Sequence, residues 1–114
     1  MTPKKIRVDI DSTICFTPCI GGKNMYEQSI PLTNRIKVIN ALYNAGHHII
    51  YYTARGASSG INHEELTRSQ LSEWCCLYHA LDMSKPSFDI LIDDKAITSL
   101  SASRAVEMGL IDIS

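Results

Sequence analysis

The chain has 114 residues, enough for one hydrophobic core and too few for a second. Its 11 Lys and Arg balance 12 Asp and Glu, so there is no global basic field to hold nucleic acid or an anionic membrane. With 45% hydrophobic residues the composition describes a packed globule whose charge balance favours a small-molecule partner.

Lys4, Lys5 and Arg7 precede an apolar run that is short and interrupted by Asp9 and Asp11. That is no signal-peptide core, and no stretch approaches membrane-spanning length. Ile6, Val8 and Ile10 alternate with Arg7, Asp9 and Asp11, which predicts a strand whose carboxyl end presents two acids. In an open parallel sheet ligands bind at that end, and two like charges there resist burial unless a cation or a proton offsets them. A hard divalent ion such as Mg2+ takes oxygen ligands, and a carboxylate aimed at phosphorus can be a nucleophile. Two solvated acids are the plainer reading of Asp-x-Asp alone; its partners downstream reverse that preference.

The segment 14–30 holds Gly21-Gly22 between short apolar pieces, the pattern of a hairpin tip that would project over the site, with a surface loop as the blander alternative. Thr33 is a plausible N-cap for a helix carrying Ile36, Ile39, Leu42 and Tyr43, stopped by Gly46. His47 and His48 fit the following turn better than a metal site. Ile49 to Tyr52 reads as a buried parallel strand ending in Thr53-Ala54-Arg55-Gly56. A hydroxyl, backbone amides and a guanidinium together can bind phosphate, so Thr53, Ala54 and Arg55 are candidate substrate contacts.

Asn62 opens a second helix, with Glu65 placed for a reciprocal cap and Leu66, Gln70, Leu71, Trp74 and Tyr78 along one side. A short strand is expected around His79-Ala80-Leu81. Lys85 then precedes Phe88 to Ile92, a second buried-looking strand terminated by Asp93 and Asp94. A helix from Ala96 to Gly109 and a terminal strand from Leu110 to Ile113 complete the chain. The alternation predicts an α/β fold with a mainly parallel sheet between helices. The four cysteines, Cys15, Cys19, Cys75 and Cys76, are expected to be reduced thiols of a cytoplasmic protein. Zinc held by these and His79 ranks below that, because adjacent helical residues diverge by about 100°.

Asp9-Ile10-Asp11-Ser12-Thr13, a strand ending in Thr53, then Lys85, then a strand ending in Asp93-Asp94 resembles the four ordered motifs of the haloacid dehalogenase (HAD) superfamily of phosphatases. The likeness spans nearly the whole chain. It implies a Rossmann-like three-layer sandwich and Mg2+-dependent hydrolysis of a phosphate monoester through an aspartyl-phosphate. On that resemblance Asp9 is the nucleophile and Asp11 the general acid, protonated in the first step. Thr53 and the Ala54 amide hold phosphoryl oxygens, and Lys85 neutralises Asp9 and phosphate. Mg2+ is then held by Asp93 and Asp94 with Asp9 and the Asp11 carbonyl. Ser12 departs from the Gly of many members.

No room exists for a large cap, so the resemblance implies a capless single domain over 1–114. Access would be shaped by the 14–30 hairpin or by a neighbouring subunit in a homo-oligomer. Tyr52 to Gly56, Gln70-Leu71 with Trp74, Tyr78-His79, Lys85-Pro86 and Ile92 to Lys95 further resemble small phosphatases associated with capsular polysaccharide biosynthesis, which implies a sugar phosphate substrate. A nucleic-acid 3'-phosphatase, with Arg55 on the substrate, could use the same centre. Non-enzymatic alternatives are a HAD-like binding protein and a receiver domain, although the latter's phosphoacceptor belongs on a mid-chain strand and here that strand ends in Thr53.

Overall fold

The computed structural model describes residues 2–98 and 100–111. In chain order the elements are β1 (Lys5–Asp9), the short strands β2 (Cys15–Phe16), β3 (Cys19–Ile20), β4 (Lys23–Asn24) and β5 (Ile30–Pro31), helix α1 (Thr33–Asn44), β6 (His48–Tyr52), α2 (Glu64–Glu73), β7 (Ala80–Asp82) and α3 (Ala102–Glu107). β1, β6 and β7 form a parallel sheet with β6 in the middle. Its register sets Asp9 beside Tyr52 and Tyr52 beside Asp82, so polar and aromatic groups line up at the carboxyl ends of all three strands.

The sheet and α1 bury one apolar cluster that includes Val8, Ile10, Ile36, Ile39, Leu42, Ile49, Tyr51 and Leu71. Fully burying each large aliphatic stabilises the fold by about 1.5–3 kcal/mol, and this is what anchors the carboxyl end of β1. Residues 15–31 form a flap of nested pairs, β2 with β5 and β3 with β4. Gly21 and Gly22 both adopt left-handed backbone, φ 59° and 79°, which a two-residue turn between twisted strands requires.

Several expected boundaries move. The second helix ends at Glu73 rather than near Tyr78, because Cys75 takes a left-handed conformation and the Cys76 amide donates to the Leu71 carbonyl at 2.9 Å. The last helix begins only at Ala102, where the Ser101 side chain accepts the Arg104 N–H at 3.0 Å. The first is preceded by Leu32, not capped by Thr33. His47 lies in the turn before β6, as expected, but is buried; its Nδ1 accepts the Lys4 N–H at 3.0 Å and its Nε2 donates to the Leu110 carbonyl at 2.6 Å. The expected strand over Phe88–Ile92 is absent among the described residues. An apolar run becomes a strand only with a ladder partner, and this run has none: Ile90 is 80% and Ile92 95% exposed. Of the terminal strand expected over Leu110–Ile113, Leu110 and Ile111 form a bend, and 112–113 lie outside the described residues.

Candidate active site

A cleft of about 650 Å³ opens at the carboxyl ends of β1 and β6. Asp9, Asp11 and Ser12 come from the end of β1, Ala54 to Gly56 from the loop after β6, Lys85 and Ser87 from the segment after β7, and Lys23, Asn24 and Tyr26 from the flap. Ser58, Ser59 and His63 also line the cleft, the His63 ring centre 4.9 Å from that of Tyr26.

Asp9 is the last residue of β1, and its carboxylate keeps one third of its surface exposed. Its Oδ1 lies 3.1 Å from Lys85 Nζ and its Oδ2 accepts the Thr13 hydroxyl at 3.3 Å. Lys85 reaches this point because its amide donates to the Thr53 carbonyl at 3.3 Å and its ammonium rests 4.7 Å from the Tyr52 ring centre. Asp9 and Lys85 thus meet as the sequence reading expected.

Asp11 and Arg55 meet differently. Arg55 Nε donates to Asp11 Oδ2 at 3.0 Å and Nη2 donates to Oδ1 at 2.9 Å, a bidentate pair. Arg55 Nη1 donates to Thr67 Oγ1 and Gln70 Oε1, and the guanidinium side chain has no exposed surface. Arg55 was expected to bind phosphate; its donors are instead committed to protein. Burial pushes the Asp11 carboxyl up, but hydrogen bonds from Arg55 and Thr17 and the guanidinium charge outweigh it, leaving the group below its usual value. The protonated Asp11 expected for the first step is therefore disfavoured in this arrangement.

Thr53 is buried, its hydroxyl accepting the Arg55 N–H at 3.1 Å, and the cleft wall is made by Ala54 after it. The turn that carries Arg55 is packed closely: a Cβ at Gly56, φ 88°, would lie 2.2 Å from the Ile61 carbonyl oxygen. Asp93 and Asp94 are exposed, in the irregular segment after Phe88, and neither lines the cleft; Asp93 Oδ1 accepts the Lys95 amide at 2.7 Å in a local turn. Without the expected strand nothing carries them to Asp9. Ser12 does sit in left-handed backbone, φ 68°, the conformation that favours glycine.

Mg2+ needs only one or two carboxylates, completing its shell with water and phosphoryl oxygens. Asp9, which lines the cleft with one third of its side chain exposed, fits that demand beside Lys85 and Thr13; the Asp11 carboxylate is taken by Arg55, which leaves the expected Asp11 contact to its carbonyl.

The sequence reading missed the Asp11 and Arg55 supports: Thr17, Ser29, Thr67 and Gln70. For two of these a signal existed. Thr67 and Gln70 lie three apart on the buried side of α2 beside Leu71, and polar residues there need a buried partner.

No family model matches the chain and no curated protein does. Among solved structures, a Vibrio cholerae protein described as an MCSG target superposes with a TM-score of 0.68 at 20% identity, covering 90% of this chain and 86% of that one. At that identity the likeness concerns the fold alone.

Proposed function

We propose that the chain is a HAD-type phosphoric monoester hydrolase, a capless Rossmann-like domain acting on a small phosphate ester, with sugar phosphates as the substrate class. One observation carries this reading. A carboxylate at the end of the first parallel strand, Asp9, opens on a cleft with a lysine ammonium 3.1 Å from one of its oxygens. Lys85, 3.1 Å from Asp9, compensates charge on the attacking carboxylate and on the phosphoryl oxygens, which is most of what phosphoryl transfer asks of a protein.

In the first step an Asp9 oxygen bonds to phosphorus while the ester oxygen leaves with its electron pair and takes up a proton from solvent water. In the second, water attacks the aspartyl-phosphate, loses a proton, and releases phosphate and Asp9. Asp11, held ionised by Arg55, is suited to accept the proton of that water. Donating a proton in the first step requires the Arg55 pair to loosen. The Ala54 amide lies at the cleft wall to receive a phosphoryl oxygen. Mg2+, held by Asp9, would supply further neutralisation of phosphoryl charge when bound.

The test is phosphate release from sugar phosphates, nucleotides and a 3'-phosphorylated oligonucleotide, with Mg2+ or EDTA, for wild type and Asp9→Asn. Metal-dependent turnover lost in Asp9→Asn supports the reading, and the preferred substrate selects the class. The oligonucleotide reading loses its proposed contact, since Arg55 is engaged elsewhere. A second reading, a non-hydrolytic phosphate-binding protein, is favoured by the clamped Asp11 and the distant Asp93 and Asp94. It predicts calorimetric binding of inorganic phosphate without turnover of any panel member.

A further inference from the structure

Arg55 ties α2 to the end of β1 and to the far side of the flap, whose start is already joined to Asp11 by the Asp11–Cys15 bridge and the Thr17 hydroxyl. Its bidentate pair holds Asp11 at the end of β1. Nη1 donates to Thr67 at 3.1 Å and to Gln70 at 2.6 Å, both on α2. Toward the flap, Nη2 lies 3.4 Å from Ser29 Oγ, and the Tyr26 ring centre lies 4.8 Å from the guanidinium carbon. Gln70 closes the circuit, its Nε2 donating to the Tyr26 carbonyl at 2.6 Å. A planar fork with five donors can serve three elements at once, whereas a lysine ammonium is a point charge that cannot reproduce the bidentate geometry.

We propose that Arg55 is a positioning residue that couples the flap to Asp11, rather than a ligand of the phosphoryl group. The flap supplies Lys23, Asn24 and Tyr26 to one cleft wall, so Arg55 fixes that wall and the Asp11 carboxylate in a single arrangement. Thr17 of the flap bonds both Asp11 and Ser29, so loosening Arg55 frees the flap and Asp11 from α2 as one linked unit. The effect on turnover rests on the phosphatase reading; the mechanical coupling does not.

The experiment compares the full chain with Arg55→Lys and Gln70→Ala, using p-nitrophenyl phosphate turnover and amide hydrogen exchange. In Arg55→Lys, kcat falls on the order of 10²-fold, the size of effect that misplacing a reacting group produces. KM stays within about threefold, because the guanidinium does not touch substrate. In both variants the Gln28 and Ser29 amides, bonded to the Met25 and Tyr26 carbonyls, exchange about tenfold faster or more while those of β6 are unchanged. A KM raised about tenfold with kcat intact would make Arg55 a phosphate ligand and overturn the proposal. Flap exchange at the wild-type rate in both variants would overturn it as well. If wild type turns nothing over, the phosphatase reading fails and the exchange data alone decide the coupling; Gln70→Ala keeps that arm decisive should Arg55→Lys not fold.

Discussion

Lys85 Nζ stands 3.1 Å from Asp9 Oδ1, joining the segment after β7 to the end of β1 across the face of Tyr52. The pair is only partly buried, with 15% and 33% of the two side chains exposed. Its contribution to folding is therefore about 1 kcal/mol or less. On the proposed reaction its weight is larger, because Lys85 faces the oxygens on which charge builds. Lys85→Met is expected to lower kcat/KM by about 10²–10³, the usual loss for one transition-state donor, with the urea midpoint nearly unchanged. Steady-state phosphate release beside urea melts checks this, and an active Lys85→Met would remove Lys85 from the chemistry.

Two left-handed positions frame the cleft and predict stability changes of opposite sign. A Cβ at Gly56 would lie 2.2 Å from the Ile61 carbonyl oxygen in backbone already at φ 88°. Backbone cannot yield as a flexible side chain can, so Gly56→Ala should cost about 2 kcal/mol or more and loosen the turn that carries Arg55. Ser12, at φ 68°, carries a Cβ where glycine is at ease. Ser12→Gly should gain roughly 0.5–1 kcal/mol, the relieved strain less the added freedom of the unfolded chain. Equilibrium urea unfolding measures both, and a destabilised Ser12→Gly would show that its hydroxyl matters more than its backbone.

The parallel strand β1 was legible because strand period and terminal chemistry coincide there, with Val8 and Ile10 buried and Asp9 and Asp11 lining the cleft, whereas the Asp9–Lys85 meeting was expected only from the motif resemblance. Arg55 was misread for a reason of length. Its neighbours Thr53 and Ala54 pointed to phosphate, but the partners that claim its guanidinium, Asp11, Thr67 and Gln70, lie 44, 12 and 15 residues away. The stop of α2 was illegible because Cys75 fills a role usually given to glycine. Phe88 to Ile92 has the composition of a strand, and composition cannot supply a pairing partner. Asp93 and Asp94 lost their expected place with that strand.

The cysteines divide by burial. Cys19 and Cys75 are exposed, Cys15 and Cys76 are buried, and all are free thiols. Burial pushes the Cys76 thiol up to about 11 and raises Cys15 as well, so neither offers thiolate near neutrality. Iodoacetamide at neutral pH should alkylate Cys19 and Cys75 in the native protein and reach Cys15 and Cys76 only after unfolding. Peptide mass spectrometry reads the four sites separately. Early modification of Cys15 would mean that the start of the flap opens in solution.

Asp82 ends β7, and its carboxyl is held well below its usual value. The Ser84 hydroxyl and the Ser84 amide both donate to Oδ1, the amide at 2.8 Å, and Arg7 Nη1 donates to Oδ2 at 2.9 Å. These contacts, the Ser84 hydroxyl foremost, bring Asp82 from its usual 3.8 down to about 2. The folded state thus holds the ionised form more strongly than the unfolded chain does. The stabilisation is fully present above pH 3.8 and is lost as the pH falls through about 2. A carboxyl-carbon NMR titration should place the Asp82 midpoint near 2, and Ser84→Ala should move it back toward 3.8 because both oxygens would then rely on one amide and Arg7. An Asp82 midpoint that does not move in Ser84→Ala would assign the shift to the Ser84 amide and Arg7, and Arg7→Gln would then separate the two.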